Sequence, residues 1–213
     1  MTDPTDDPTG NLGSIAAGTL ADYETRARAF WDGTRDHDVR QNIDALLGAI
    51  EGTPPFTILD FGCGPGRDLC ALRERGHVPI GLDGTATFVA MAREYSACEV
   101  WQQDFLSLDL PAARFDGIFA NASLQHVPTA ALPRVLRELR AALRPRGVLF
   151  ASIPRGSDEE GWSRGRYSVY HDPATWIRHL ESAGLTLVDH YYRPAGLPRE
   201  AQPWLATVAR KAA

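Results

Sequence analysis

The feature that most constrains this chain is the stretch 58–69, which reads I-L-D-F-G-C-G-P-G-R-D-L. An apolar run ends at Asp60, three glycines then alternate with other residues, and a helical pattern follows. Glycine lets the backbone turn sharply and approach a ligand closely. A strand that runs through such a loop into a helix forms a nucleotide-type binding site at the carboxyl end of the strand. A purely structural turn explains one glycine easily and three in register poorly.

Strand-like and helical segments alternate along most of the chain. Predicted strands cover 56–60, 78–82, 99–103, 115–120, 148–153, 185–192 and 204–209, and predicted helices cover 16–30, 39–51, 67–75, 86–95, 132–143 and 173–183. This alternation is typical of a parallel α/β sheet with right-handed crossovers. No helix separates the last two strands, so we expect the last strand to enter the sheet antiparallel. The predicted fold is a Rossmann-like, seven-stranded, mostly parallel sheet.

The segments outside this alternation set the predicted domain organisation. Residues 1–13 are rich in Asp, Thr and Pro and are predicted to form a disordered tail. Residues 14–54 are predicted to form a helical cap with a polar loop at 31–38, and residues 55–213 form the core. Within the core, the polar connection 155–172 predicts a movable lid over a substrate. The alternative for this connection is a solvated connector whose tyrosines pack on the core.

Polar side chains stand where the first four predicted strands end, at Asp60, Asp83, Asp104 and Asn121. Ligands bind beyond these ends in a doubly wound sheet. The carboxylate of Asp83 suits the two hydroxyls of a ribose, and Asp104 with Phe105 suits an adenine amino group and its ring. The predicted cofactor-binding residues are Asp60, Gly62, Gly64, Gly66, Arg67, Asp83, Gly84, Asp104, Phe105 and Asn121.

The spacing of the glycines separates the candidate cofactors. A dinucleotide fingerprint reads G-x-G-x-x-G, whereas this loop reads D-x-G-x-G-x-G. That frame resembles the first motif of the Rossmann-like class I methyltransferases that use S-adenosylmethionine (SAM). The resemblance implies SAM as cofactor and S-adenosylhomocysteine as product. The acidic strand ends agree, because SAM carries a sulfonium cation and no phosphate. Arg67 or the loop amides are expected to receive the carboxylate of SAM.

A methyl acceptor has to be aligned near the end of the fourth strand and beneath the lid. The residues predicted to orient it, and therefore to be catalytic, are Asn121, His126, Tyr167 and Tyr170. His126 also fits a capping or packing role. The predicted substrate-binding residues are Trp31, Arg35, Asp36, His37, Gln125, Arg155, Tyr167, Tyr170, His171, Tyr191 and Tyr192. No metal is expected, since the histidines lie on separate segments without ligand spacing.

More particular strings lie in the lid and in the segment after it. Residues 165–172 read G-R-Y-S-V-Y-H-D, and residues 190–200 read H-Y-Y-R-P-A-G-L-P-R-E. With these strings the chain resembles the C-terminal methyltransferase domain of the ovothiol-biosynthesis enzymes, the 5-histidylcysteine sulfoxide synthases. T-R-D-H-D-V at 34–39 and Q-P-W-L-A at 202–206 extend the resemblance.

The ovothiol resemblance implies methylation of the imidazole π nitrogen of 5-thiohistidine. The family carries an iron-dependent sulfoxide synthase part that has no counterpart here, so the chain is an excised domain or a free-standing relative. A free-standing relative would act with a sulfoxide synthase in trans, or use another imidazole such as histidine. Gln125 replaces an aromatic residue of the family beside the expected substrate site, which leaves the acceptor open.

Other functions stay open beside this one. They are O- or S-methylation of another small metabolite, and SAM binding by a non-catalytic regulator. The 213 residues carry a net charge of −5 without a basic run, which argues against nucleic acid as a partner. No apolar run is long enough to span a membrane. Three cysteines without metal-ligand spacing are typical of reduced thiols in the cytoplasm.

Overall fold

A computed structural model describes the backbone of residues 8–213 and the side chains of residues 12–213. Its strands are β1 (Thr57–Phe61), β2 (Val78–Asp83), β3 (Glu99–Gln102), β4 (Phe115–Asn121), β5 (Leu143–Pro154), β6 (Glu159–Ser163), β7 (Arg166–Tyr170), β8 (Leu185–Arg193) and β9 (Trp204–Lys211). The main sheet of this described part has the order β3-β2-β1-β4-β5-β9-β8. Strands β1 to β5 run parallel, and β9 lies antiparallel between β5 and β8. The predicted fold class is confirmed.

Helices cover both faces of this sheet. They are α1 (Pro8–Thr34), α2 (Arg40–Ala49), α3 (Arg67–Glu74), α4 (Ala86–Ser96), α5 (Leu132–Ala142) and α6 (Pro173–Ser182). Side chains alternate across a strand, so Ile118 of β4 packs in the core beneath α5 while Phe119 packs with Ile43 of α2. Among the described residues, no helix is long and apolar enough to cross a membrane.

The amino-terminal region is more helical than its sequence predicts. Helix α1 begins at Pro8, so residues 8–13 of the expected tail are helical, and residues 1–7 lie outside the described residues. The helix continues to Thr34, which places Trp31 on a helix rather than in the expected loop. Several glycines lower the intrinsic propensity of this segment. Packing of α1 on the rest of the fold overrides that propensity, as tertiary contacts supply most helical stability.

The expected loop 155–172 contains the β6–β7 hairpin, which the sequence analysis missed. Ser163 pairs with Arg166 across a two-residue turn, in which Arg164 has φ of 51° and Gly165 has φ of 88°. Two positive φ angles match the twist of a type I′ hairpin turn. Arginine is an unusual residue for the first of these positions, which is why the sequence hid the turn. The connection 155–172 is therefore built around an ordered hairpin rather than a loop.

Two further boundaries concern β5 and α6. Strand β5 begins at Leu143 rather than at residue 148, because Leu143 already pairs with Phe115 before a shift in register. Helix α6 begins as the sequence indicates. The Asp172 carboxylate accepts hydrogen bonds from the N–H groups of Ala174 and Thr175, at 2.9 and 3.4 Å, and so caps the helix.

Candidate active site

A cavity of about 910 Å³ lies at the carboxyl ends of β1, β2 and β4. The glycine loop after β1 forms its floor, and residues of α1 and of the β6–β7 hairpin close it from above. Strand β5 and the start of β9 contribute its far wall, through Ser152, Pro154 and Trp204. This is the position where a doubly wound sheet binds its ligands.

The glycine loop approaches the end of β4 too closely for a side chain. Gly62 has φ of 79°, and a Cβ on it would lie 2.4 Å from Cβ of Ser123 and 3.1 Å from Cζ of Phe105. Neighbouring N–H groups of the loop are aimed by Asp83, whose Oδ2 accepts a hydrogen bond of 2.9 Å from the N–H of Gly64. The loop is thus shaped both by its missing side chains and by a carboxylate from the next strand.

Asp83 is almost fully buried at the cavity wall. Burial raises the pKa of its carboxyl, and the backbone N–H groups of Thr85 and Gly64 act in the opposite direction. Its Oδ1 accepts from the N–H of Thr85 at 2.9 Å. A carboxylate offers about four acceptor positions, so Asp83 keeps capacity for the two hydroxyls of a ribose.

Arg67 is held within the protein rather than free for a ligand. Its guanidinium forms two hydrogen bonds with the carboxylate of Asp68, at 2.6 and 2.9 Å, and a third with the carbonyl of Thr34 at 2.7 Å. Arg67 lines the cavity while it ties the end of α1 to the start of α3. The N–H groups of the glycine loop are engaged as well, since those of Gly62 and Cys63 donate to the carbonyl of Leu82 and that of Gly64 donates to Asp83.

Asp60 and Gly66 lie beneath the cavity lining rather than in it. The Oδ2 atom of Asp60 is buried without a hydrogen-bond partner among the described residues. Burial, and then the charge of Asp68, raise the pKa of the Asp60 carboxyl well above its usual range. A cationic ammonium beyond the loop would relieve this cost, because an opposite charge stabilises a buried carboxylate.

The third strand end supplies Asp104 and Phe105. Oδ1 of Asp104 accepts from the N–H of Leu106 at 2.8 Å, which fixes the turn. The ring of Phe105 stacks on Phe61 with centroids 4.2 Å apart and faces the cavity. The chain thus presents an acceptor beside a flat apolar surface, which is what an adenine ring requires.

These residues fit SAM. Asp83 would hold the ribose, and Asp104 and Phe105 would hold the adenine. On this side the cavity wall carries the carboxylates of Asp83 and Asp104, which suit a sulfonium cation. The thiol of Cys63 takes no part as a nucleophile, because burial raises its pKa well above the usual range.

Asn121 is oriented by a chain of side-chain hydrogen bonds. Nδ2 of Asn42 donates to Oδ1 of Asn121 at 2.9 Å, and the hydroxyl of Tyr191 donates to Oδ1 of Asn42 at 2.9 Å. Burial raises the pKa of Tyr191 to about 12, so its hydroxyl stays protonated. Asn42 uses one of the two lone pairs on Oδ1 of Asn121, so this residue can offer a ligand its Nδ2 donors and one acceptor position.

His126 lies at the cavity wall on the short 3-10 helix Leu124–His126. Its Nδ1 is 2.7 Å from the carbonyl oxygen of Tyr167, and its Nε2 is 2.8 Å from the hydroxyl of Tyr23. A carbonyl only accepts, so Nδ1 carries the hydrogen and Nε2 accepts from Tyr23. Burial lowers the pKa of His126 to about 4. The imidazole is therefore neutral at pH 7 and a weak base.

Residues 58–147 match a family model described as a methyltransferase domain. This segment is a methyltransferase domain. A trans-aconitate 2-methyltransferase of Azoarcus sp. (strain BH72) is 37% identical over 142 residues, which cover 65% of this chain and 53% of the relative. A malonyl-[acyl-carrier protein] O-methyltransferase of Enterobacter lignolyticus is 33% identical over 52% of this chain and 43% of its own length.

The chain thus spans about half the length of these curated relatives. Among solved structures, the 1,6-didemethyltoxoflavin-N1-methyltransferase of Burkholderia thailandensis, with bound S-adenosylhomocysteine, superposes with a TM-score of 0.75. It is 23% identical, with 100% of this chain and 94% of that chain covered. For the methyltransferase domain, the fold, the enzyme class and SAM as cofactor are confirmed. These similarities do not single out the ovothiol enzymes.

Several residues predicted to be catalytic or to bind the substrate line the cavity of the methyltransferase domain, namely Trp31, His37, Asn121, Gln125, His126 and Tyr170. Gly84 lines it on the cofactor side. Seven others lie outside the lining, namely Arg35, Asp36, Arg155, Tyr167, His171, Tyr191 and Tyr192. The cavity therefore brings together the first group of predicted residues. The seven others do not line it.

The residues outside the lining have other contacts. Arg35 pairs with Asp36 at the surface. Arg155 donates to the carbonyls of Gln202 and Arg199, and its guanidinium lies over the ring of Tyr192. These contacts hold the segment before β9. The buried His171 packs against Trp176 and His179, and the Tyr167 ring packs edge-on against Trp162.

Sequence patterns did not indicate most of the cavity residues of α1 and α2, which are Ala16, Thr19, Leu20, Tyr23, Phe30, Thr34 and Asn42. They also did not indicate Ser152, Pro154 and Trp204 on the far wall. The helical periodicity of α1 carries no chemical motif that marks Tyr23. A polar aromatic residue on the buried side of a cap helix was the one available signal.

Proposed function

We propose that this chain transfers the methyl group of SAM to a ring nitrogen of a small heteroaromatic metabolite that carries a carboxylate. The favoured acceptor is the imidazole π nitrogen of 5-thiohistidine or histidine. The observation that carries the proposal is the lining of the cavity, which combines aromatic rings with arginines. When bound, SAM supplies an electrophilic methyl carbon on its sulfonium, and the protein has to align an acceptor with it.

The aromatic side chains support a flat acceptor. Tyr23, Phe30, Trp31, Tyr170 and Trp204 line the cavity in addition to Phe105. Aromatic walls bind planar rings through stacked and edge-on contacts, each of which contributes about 0.5–1.5 kcal/mol beyond area burial. An aliphatic acceptor gains less from such walls. The resemblance of the hairpin and of the segment before β9 to ovothiol enzymes points to an imidazole ring in the same place.

Arginines at the cavity wall support a carboxylate on the acceptor. Arg164 and Arg166 reach the cavity from the hairpin, and Arg193 reaches it from the end of β8. Arg166 pairs with Asp22 at 3.4 Å, and Arg193 donates to the carbonyl of Asp38 at 2.9 Å. A guanidinium has five donors, so each retains donors for an acceptor carboxylate.

The state of His126 supports an acceptor that needs no strong base. Its imidazole is neutral, and both of its nitrogens are engaged by Tyr23 and Tyr167. A neutral imidazole nitrogen carries its own lone pair, so attack on the methyl carbon does not first require removal of a proton. An alcohol acceptor would need a base at that point.

A second candidate is methylation of a carboxylate oxygen, as the names of the trans-aconitate and malonyl-[acyl-carrier protein] methyltransferases indicate for those relatives. A carboxylate also brings its own lone pairs. If 5-thiohistidine is the acceptor, a sulfoxide synthase has to supply its precursor, on the same polypeptide or on another one.

The test is methyl transfer measured by mass spectrometry. The protein is incubated with SAM and, separately, with histidine, 5-thiohistidine and trans-aconitate. We expect a gain of one methyl group on an imidazole compound, with fragmentation placing it on the π nitrogen. A gain on trans-aconitate alone would move the proposal to carboxylate methylation. No transfer to either class, in protein that binds S-adenosylhomocysteine, would overturn this acceptor class.

Replacing Tyr170 with phenylalanine is expected to spare SAM binding and to lower the rate of methyl transfer about three- to tenfold. The ring stays at the cavity wall while the hydroxyl that orients the acceptor is lost, and such a hydrogen bond contributes about 0.5–1.5 kcal/mol. The measurement compares kcat with the affinity for S-adenosylhomocysteine. A variant with unchanged kcat would show that the hydroxyl does not orient the acceptor.

A further inference from the structure

Tyr23 and Gln125 line the cavity beside His126, and each carries an oxygen that can accept a hydrogen bond. Tyr23 lies on α1, and its ring packs against Phe30 and Phe88 with centroids 5.5 Å away in each case. Burial raises the pKa of the Tyr23 hydroxyl, which therefore stays protonated. Its O–H is spent on Nε2 of His126, at 2.8 Å. The hydroxyl oxygen of Tyr23 has two lone pairs, and the guanidinium of Arg166 donates a hydrogen bond to it. One acceptor position therefore remains for a ligand.

One contact decides the orientation of the Gln125 side-chain amide. Its Nε2 is 2.7 Å from the carbonyl oxygen of Ala122, and only the NH₂ group can donate there. Oε1 is then the other end of the amide, and it is buried without a hydrogen-bond partner among the residues described. An unpaired buried acceptor is costly, which indicates that a bound molecule supplies a donor.

The contacts of Gln125 and Tyr23 with their neighbours do not use up Oε1 of Gln125. Nε2 of Gln125 also lies 3.4 Å from Nε2 of His126, but the Tyr23 hydroxyl approaches the same nitrogen at 2.8 Å and takes its single lone pair. Tyr23 is held in position by the hairpin as well. The guanidinium of Arg166 lies 4.8 Å from the centre of its ring, and the N–H of Tyr167 donates to the hydroxyl of Thr19 at 3.1 Å.

We propose that the Tyr23 hydroxyl oxygen and Gln125 Oε1 form a subsite that accepts a hydrogen bond from a ring N–H of the methyl acceptor. This subsite deepens the proposed function and rests on it. It makes Tyr23 and Gln125 specificity-determining residues, and His126 a positioning residue that turns the Tyr23 lone pairs toward the ligand. A ring with one lone-pair nitrogen and one N–H can both attack the methyl carbon and donate to this subsite. A carboxylate offers no donor.

The test uses a matched pair of probes, L-histidine and its τ-methylated form, which lacks the ring N–H. Binding is measured by calorimetry with and without S-adenosylhomocysteine, on wild type, Tyr23→Phe and Gln125→Met. We expect wild type to bind histidine at least about fivefold more tightly than τ-methylhistidine. In both variants that preference falls to near unity. Tyr95→Phe, a change on the exposed face of α4, keeps the wild-type preference.

The outcomes separate a subsite from a structural role. Loss of an α1 contact alone would weaken both probes equally and leave their ratio unchanged, which overturns the proposal. A wild type that binds neither probe, or that shows no preference, overturns it too. The Tyr23→Phe protein retains its ring packing, so it decides the matter if Gln125→Met fails to fold. Binding of S-adenosylhomocysteine is measured separately, and a wild-type protein that does not bind it would count against the proposed function.

Discussion

Replacing Asp83 with alanine is expected to weaken the binding of S-adenosylhomocysteine by roughly tenfold to a hundredfold. Two effects add. A charged acceptor for the ribose hydroxyls is lost, which contributes about 1.5–3 kcal/mol. The N–H groups of Gly64 and Thr85 also lose the carboxylate that aims them, so the glycine loop is less ordered before binding. Isothermal titration calorimetry measures the dissociation constant directly.

The control for Asp83→Ala is Glu94→Ala. Glu94 is an acidic residue on the exposed side of helix α4, and it lies outside the cavity. Its removal changes the net charge by the same amount and is expected to leave the affinity unchanged. Equal affinity of Asp83→Ala and wild type would show that the cofactor does not bind at the end of β2.

The second large effect is expected at the glycine loop. Gly62→Ala should lower the free energy of unfolding by about 2–5 kcal/mol and abolish measurable binding of S-adenosylhomocysteine. A positive φ costs a residue with a Cβ about 1–2 kcal/mol, and overpacking adds about 1–3 kcal/mol. The clash is with Cβ of Ser123, at 2.4 Å, so either the loop or the end of β4 has to move.

Denaturant unfolding and cofactor titration together check this second prediction. The matched control is Gly48→Ala on helix α2, where an added Cβ meets no atom within 4 Å. There alanine is expected to raise stability by about 0.5–1 kcal/mol, because glycine is a poor helix former. A Gly62→Ala protein as stable as wild type would mean that the loop relaxes freely, and that its glycine is not required by sterics.

Much of the cofactor side was predictable from sequence because its determinants are local. The loop 58–69 joins a strand to a helix without long-range help, and Asp83, Asp104 and Asn121 stand at predicted strand ends. Parallel strands bring such ends to one edge of the sheet by topology alone. The partners of Arg67 were not predictable, since Thr34 reaches it from α1, far away in sequence.

The acceptor side was predictable only in part because it is assembled from distant segments. Tyr23 meets His126 across 103 positions of the chain, and Tyr167 meets Thr19 across 148. No periodicity or spacing records such contacts. The hairpin between β5 and α6 was hidden by an Arg-Gly turn, and the same turn is what brings Arg164 and Arg166 to the cavity.

The sequence by itself determined the sheet, its strand ends and the loop that makes SAM the cofactor, because these depend on short-range patterns and on sheet topology. The tertiary structure alone decided which groups remain free for a ligand. In the folded chain Arg67 is paired with Asp68, and burial keeps His126 neutral. The oxygens of Tyr23 and Gln125 remain as acceptors. Whether a polar atom is free depends on every neighbour around it, and those neighbours are set by packing.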